Sequence, residues 1–361
     1  MHVLVVNAGS SSLKVRLLDP GNEVVAKLDL GKWGGRHETG QLAEFVTGLD
    51  RVDAVGHRIV HGGAEFTGPV LLDRDVRDRI AALAELAPLH QPRGVAGIDA
   101  LAEVASGVPA VACFDTAFHH DLPAAAATYA LPRDWNERWR LRRYGFHGLS
   151  HAYAARRAAS MLDRADPRVV SCHLGAGASL AAVAAGRSLD TTMGFTPLAG
   201  LVMATRSGSL DPGLLLWLLR RSGLAVDELA DTLEHRAGLA GLTGGDGDMR
   251  DIAGSAGPVA RQAFDVYIHR LRREIAGMAA AMDGLDVLVF TGGVGEHQPP
   301  VRAAAAAGLG FLGVRIDEEA NDAATDDADI TAAGAPVSTL VITAREDAEI
   351  AGQTRDLVAP H

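Results

Sequence analysis

Short apolar runs rich in valine alternate along this chain with longer stretches of helical period. "VLVV" and "KVRLL" (Val3 to Leu18) predict two strands around a polar turn, "NAGSSS". "DAVGHRIV" (Asp53 to Val60) and "VPAVACF" (Val108 to Phe114) predict two more. Between them, "DRDVRDRIAALAELA" predicts a helix with Asp73 as its N-cap. "DPGLLLWLLRRSG" carries full helix punctuation: Asp211 as N-cap, Pro212 at the first helical position and Gly223 past the end. The longest helix is predicted from about Pro258 to Met282. It feeds the strand "LDVLVF"; "APVSTLVIT" reads as a late strand, and the tail from Glu346 as helix. Strands alternating with helices make an α/β fold.

One pattern occurs twice. "VVNAGSSSLKV" (Val5 to Val15) and "SCHLGAGASLAAV" (Ser171 to Val183) are each strand, small-residue turn, strand. Far apart in the chain, they predict the openings of two related domains. A third glycine-rich turn, "FTGGVGEH" (Phe290 to His297), also follows a strand. Such turns are either hairpin tips or cradles in which backbone amides meet a phosphate. None of these three turns carries Walker A or the G-x-G-x-x-G pattern, so each turn alone decides nothing.

Bulk properties narrow the field. A length of 361 residues fits two domains or one large one. The 48% hydrophobic share is ample for a core, but aromatics are only 5%, so Leu, Val and Ala must fill it. A net charge of -11 argues against a nucleic-acid partner. Cys113 and Cys172 each end an apolar run, as buried reduced thiols do in a cytoplasmic protein. The N-terminus enters a strand at once, without a signal-peptide pattern, and no apolar run reaches membrane-span length. The expectation is a cytoplasmic protein with no membrane partner.

Polar residues crowd a few strand ends. "GHRIVHGG" sets Arg58 in an apolar run, "FDTAFHH" sets Asp115 directly after a strand, "YGFHGLSH" holds His147 between glycines, and "TRSGSLDP" holds Arg206 before a helix start. A deep arginine suits an oxyanion, because its planar fork stays charged. A structural ion pair is the alternative for both arginines, a carbonyl-bonded neutral ring for His147, and a turn or N-cap for Asp115. The spacings His57/His61 and His147/His151 raise zinc, though no H-E-x-x-H or Cys-x-x-Cys accompanies them.

In order, "VLVVNAGSSSLK", "GHRIVHGG", "FDTAFHH", "YGFHGLSH", "CHLGAGAS", "DTTMGFTPLAGLVMATRSGSLDP" and "FTGGVGEH" resemble the acetate kinase family, from Val3 to Glu346. The resemblance implies two duplicated actin-like (ribonuclease H-like) domains with a nucleotide cleft between them. Residues 1–118, completed by the helix 348–361, would form the first; 119–347 would form the second, which binds nucleotide and dimerises. It implies Mg²⁺-dependent transfer (Mn²⁺ serving in its place) of a phosphoryl group between ATP and acetate, giving acetyl phosphate and ADP, by a homodimer. By motif, Asn7 and Glu346 place the metal, and Lys14 lies near the phosphates. Arg58 and Arg206 hold the carboxylate and the moving phosphoryl group. His147 stabilises the transition state, and Asp115 orients the reacting groups. His173, Leu174, Gly175, Ala176 and Gly177 bind phosphates. Asp248, Met249 and Arg250, with Gly293, Val294, Gly295, Glu296 and His297, bind the adenosine.

The chain departs from the family pattern at Ala176 and His297, each usually asparagine, and at Ala344-Arg345, usually Thr-Asn. It is also shorter, mostly between Pro20 and Asp53. The Arg345 change would alter charge beside the metal. Propionate or butyrate as acceptor stays open. So does a nucleotide-switch binding protein, which would need no paired arginines facing a small acid.

Overall fold

The computed structural model describes residues 1–9, 12–31, 39–88 and 90–359. Ser10 and Ser11 of the first turn lie outside them. The chain divides into two compact units, one of Met1–His120, Phe146–Tyr153 and Arg345–His361, the other of Asp121–Gly145 and Ala154–Ala344.

In the first unit the described residues form a six-stranded sheet of β1 (Val3–Ala8), β2 (Leu13–Leu18), β3 (Val24–Leu30), β4 (Ala54–Ile59), β5 (Val70–Leu71) and β6 (Ala110–Phe114), in the order β3-β2-β1-β4-β6-β5. In the second they form another of β7 (Val169–Leu174), β8 (Ala178–Ala184), β9 (Arg187–Thr191), β10 (Val287–Thr291), β11 (Ala328–Asp329) and β12 (Ser338–Val341), in the order β11-β12-β10-β7-β8-β9. Read from its other edge, the second order repeats the first. The pairings agree as well: an antiparallel three-strand meander, two parallel steps and one antiparallel edge strand in each. The duplication expected from two short turns therefore extends over whole sheets.

Helices that bear on function are α1 (Arg74–Ala82), α2 (Gln91–Val104), α3 (Gly148–Met161), α4 (Pro212–Arg221), α5 (Met249–Gly254), α6 (Pro258–Ala280), α7 (Gly292–His297), α8 (Pro299–Ala307), α9 (Glu318–Ala323) and α10 (Glu346–Val358). Asp73 and Asp211 cap α1 and α4 as the sequence predicts, each accepting a backbone N–H. "GGVGEH", expected as a turn, is instead helix α7.

Strand alternation sorts the first unit's side chains. Val55 and Ile59 of β4 join the cores beneath α2, with Leu101 and Ile98. Val3, Val5, Val111 and Cys113 face the other way, against Ile350 and Ala351 of α10. Gly56 lets α10 lie close: a Cβ there would sit 2.5 Å from Thr354 Oγ1 and 2.6 Å from Ile350 Cγ2. By the same alternation Asn7, Arg58 and Asp115 fall on the α10 face.

His57 falls on the opposite face and is 2% exposed. Burial lowers its pKa from 6.5 to about 4, and that of His61 likewise to about 4. Both rings are neutral in the fold, whereas the unfolded chain takes up protons below about pH 6.5. Their contribution is complete above that pH and is lost as pH falls toward 4, by up to about 3 kcal/mol for each ring. Urea midpoints should therefore fall between pH 7 and pH 5, and His57→Gln should flatten part of the slope. An unchanged slope in that variant would assign the acid sensitivity elsewhere.

Candidate functional site

The first unit gathers its charged residues at strand ends. Asn7 of β1 is the parallel register partner of Arg58 in β4, and Arg58 that of Cys113 in β6, two residues before Asp115. Asp115 continues β6 by donating its N–H to Ile59 O. Side chains of Asn7, Arg58 and Asp115 consequently stand in a row. Arg58 grips Asp115 with both arms, Nε to Oδ1 at 3.0 Å and NH2 to Oδ2 at 2.6 Å, and donates NH1 to Asn7 Oδ1 at 3.1 Å. Glu346, the first residue of α10, closes the cluster: its Oε2 accepts from Asn7 Nδ2 at 3.4 Å and lies 3.9 Å from Arg58 Nε.

The side chain of Asp115 is 2% exposed and that of Arg58 16%. Burial works against the Arg58 charge, but Asp115 and Glu346 more than restore it, and its pKa rises above the ordinary value. Burial raises the Asp115 carboxyl above the usual carboxylate range, with Glu346 adding to the rise and Arg58 opposing it.

Before α3, His147 occupies the left-handed region at φ 55°. Few non-glycine residues adopt it, and such strain persists only where the surroundings enforce it. His151 N donates to His147 O, and the preceding carbonyl, of Phe146, lies 3.0 Å from His119 Nε2. Lys14 is exposed on β2, opposite Asn7 in register.

In the second unit His173 of β7 stands where Asn7 stands in the first, and Thr291 of β10 where Arg58 stands. The charged row is thus replaced by glycine-rich backbone. Gly175 N donates to Gly177 O in a tight turn. Gly292, at φ 77°, brings the start of α7 against β7; a Cβ there would lie 2.8 Å from Leu174 O. A cavity of about 500 Å³ opens beside these turns. Gly175, Ala176, Gly293, Val294 and His297 line it, as do Asp248, Met249 and Arg250 at the start of α5. Asp248 caps that helix, and Arg250 folds back to donate to its carboxylate, holding Asp248 down at about 2.

The other residues expected at the phosphate and adenosine sites stand off this wall among the described residues. Leu174 and Gly295 are buried behind it, and Glu296 Oε1 accepts Ala344 N at 3.0 Å. His173, on β7, and Gly177, in the turn, do not line the cavity. Arg206 lies on a loop laced to the segment before Gly238, its Nε 3.4 Å from Glu234 Oε2. Sequence patterns passed over Ala204, Leu239, Tyr267 and Gln298, which also line the cavity; they sit in helices or loops with no motif to flag them. Arg345, expected to alter charge beside the metal, bonds partners outside the cluster. Its guanidinium donates to Asp347 Oδ1 at 2.9 Å and to the carbonyl of Asn22 in the β2–β3 turn at 2.6 Å.

Among the described residues no three of His, Cys, Asp and Glu gather as a metal-binding group. The oxygens of Asn7 and Glu346 nevertheless suit a hard cation such as Mg²⁺, which takes one or two protein ligands and completes its shell with phosphate and water.

Twin sheets of one topology, one ending in a buried arginine–carboxylate cluster and the other in a glycine-lined cavity, define a kinase on the duplicated actin-like fold. The chain belongs to the Acetokinase family, whose profile matches residues 37–352. It is 46% identical over 393 residues to the acetate kinase of Leifsonia xyli, covering 99% of each chain. It is also similar to the crystal structure of Porphyromonas gingivalis acetate kinase, at 33% identity and TM-score 0.91, over 99% of each chain. A propionate kinase from Francisella tularensis superposes at TM-score 0.92 with 34% identity, covering 99% of this chain and 100% of that one.

The Arg58–Asp115 pair sets a prediction. Removing one partner from a buried pair strands the other, at a cost of about 3–5 kcal/mol. Asp115→Asn should lower stability to urea on that scale, and Arg58→Met with Asp115→Leu together should recover much of the loss. Strictly additive losses would show that the two side chains do not depend on each other.

Proposed function

We propose that this protein transfers the γ-phosphoryl group of ATP reversibly to acetate, giving acetyl phosphate and ADP, with Mg²⁺ as the metal. The observation that carries this reading is the Asn7–Arg58–Asp115–Glu346 row, in a chain of the Acetokinase family. An acetate oxygen forms the new bond to phosphorus as the bond to the bridging oxygen of ADP breaks. Such a reaction asks for positioning and charge neutralisation more than covalent help. Arg58 has five N–H donors; three are committed to Asp115 and Asn7, so two remain for an oxyanion. Asp115 keeps that fork aimed. Asn7 and Glu346 would hold Mg²⁺, whose charge would offset that of the phosphates. Lys14 adds a cation on the neighbouring strand, and His147 and Arg206 serve the phosphoryl group as charge spreads over its oxygens.

The second unit's cavity is of a size that suits a nucleoside. Backbone amides of Ala176 and Gly177 face the phosphates in this reading, the Gly175 N–H being bonded to Gly177 O, and Asp248–Arg250 with Gly293, Val294 and His297 receive the adenosine. Propionate is the second acceptor considered, in keeping with the likeness to the Francisella enzyme. Among the described residues no helix is long and apolar enough to cross a membrane, and a cytoplasmic site of action is part of this reading. So is a homodimer: α4 leaves Leu214, Leu216 and Trp217 at 43%, 51% and 58% exposure, an apolar face that a second copy would cover.

A hydroxamate assay with acetate, ATP and Mg²⁺ should detect acyl phosphate. EDTA should abolish it, and Zn²⁺ alone should not restore it. Arg206→Ala should lose mostly turnover, because the charge it meets grows in the transition state. Absence of acyl phosphate from acetate and propionate alike would refute the reaction class.

Ala176 gives a second test. Restoring an amide by Ala176→Asn should strengthen nucleotide binding if that side chain reaches a phosphate, by about 1.5–3 kcal/mol when well placed. A donor panel of ATP, GTP and pyrophosphate on both forms would check it. Pyrophosphate outperforming ATP on the unaltered protein would remove the nucleotide assignment and leave the carboxylate chemistry standing.

A further inference from the structure

Arg302 is the largest fully buried side chain among the described residues. It lies in α8, and each of its arms has a definite acceptor. NH1 donates to Gly295 O at 2.9 Å and Glu296 O at 2.7 Å, carbonyls of the last turn of α7. Nε donates to Asn321 Oδ1 at 2.8 Å and NH2 to Asn321 O at 2.5 Å, in α9. Asn321 is 2% exposed and returns Nδ2 to Pro299 O at 3.2 Å, at the first residue of α8. One guanidinium thereby ties three consecutive helices together through carbonyl and amide oxygens.

This use of a charge is unusual. No carboxylate among the described residues forms an ion pair with Arg302, and burial lowers its pKa against the pull of Asp322. A buried cation without a counter-ion is costly, and a hydrophobic side chain of similar volume would fill the space more cheaply. What an aliphatic replacement could not do is saturate the last carbonyls of α7, which have no partner within their own helix. The remaining sides of α7 are fixed too. Gly292 abuts β7, a Cβ at Gly295 would lie 3.3 Å from Phe290 C, and Glu296 Oε1 holds Ala344 N. Only the side bearing Gly293, Val294 and His297 faces open space, the cavity.

We infer that Arg302 is a positioning residue for nucleotide binding: from behind, it locks α7 in the orientation that presents Gly293, Val294 and His297 to the cavity. The inference rests on the assignment of that cavity to the nucleotide. Loss of the lock should weaken nucleotide binding while leaving the carboxylate acceptor's affinity alone, since the acceptor is assigned to other elements.

The test uses the full-length protein and reads the dissociation constant of ADP by calorimetry, the KM values of ATP and acetate, and the melting temperature. Arg302→Gln should weaken ADP binding and raise the ATP KM at least about tenfold, the loss expected from one hydrogen bond to a charged group, with the acetate KM within about twofold. Arg302→Lys, which keeps the charge but cannot span both Asn321 acceptors and the α7 carbonyls, should fall between. If Arg302→Gln does not fold, Asn321→Ala removes one anchor of the guanidinium and should shift the same two constants in the same direction. Val294→Trp, which fills the cavity, is the control for the underlying assignment. If it leaves ADP binding intact, the nucleotide cavity itself is misplaced. If it blocks ADP while folded Arg302→Gln and Asn321→Ala lower only the melting temperature, Arg302 is a structural anchor and the positioning role is wrong.

Discussion

A guanidinium buried at the carboxyl ends of parallel strands needs acceptors where it stands, and at Arg58 the acceptors that meet this requirement organise the first unit. Arg58 cannot lose its proton, so Asp115 has to lie within reach of two of its arms. The reach exists because β1, β4 and β6 run parallel in a register that sets Asn7 beside Arg58 and Asp115 just beyond Cys113. A slip of one residue in β4 would turn Arg58 toward α2 and bring His57 to the α10 face. The apolar alternation that holds the register therefore also aims the charge. The small Gly56 admits α10, and α10 brings Glu346 to the cluster.

The same strand plan serves a different chemistry in the second unit. Position for position, His173 replaces Asn7 and Thr291 replaces Arg58. Beyond Thr291 the chain turns through Gly292 into a helix, where the first unit runs into an irregular loop after Ile59. One unit thus offers side-chain charges at its strand ends and the other offers backbone. The difference suits the two ends of the proposed reaction. A small carboxylate and a metal call for fixed charges, whereas phosphates on a nucleotide can be met by amides on glycine turns.

Much of this was legible in the sequence because it lay in strands, turns and caps. The duplicated turn announced two related units; Asp73 and Asp211 marked helix starts through local hydrogen bonds, Pro212 through its fixed φ, and Gly223 a helix end through its left-handed backbone at φ 74°. Arg58 stood out because an arginine in an apolar run must be explained. What stayed hidden depends on long-range packing. Tyr267 reaches the cavity from the middle of a long helix, where nothing local distinguishes it from a core residue. Arg302 sits in "PPVRAAAAA", which reads as an ordinary exposed helical arginine until α9 folds over it. Glu296 sat within a glycine motif and invited a ligand role, yet its carboxylate holds Ala344 N.

The departures from the family pattern then follow a physical division. Where donors come from the backbone, a side chain can change without removing them: Ala176 still contributes its place in the turn, and its carbonyl still accepts Ala204 N. Where the donor is the side chain, replacement would strand a buried partner, as at Arg58 and Asp115. Arg345 falls in neither group. Its guanidinium leaves the cluster for the β2–β3 turn, where Arg355 also donates to Asn22 Oδ1 and to Asp19 O. Two arginines thus fasten α10 to the hairpin of β2 and β3. Arg345 thereby braces the helix whose first residue is Glu346, the residue that closes the Arg58 cluster.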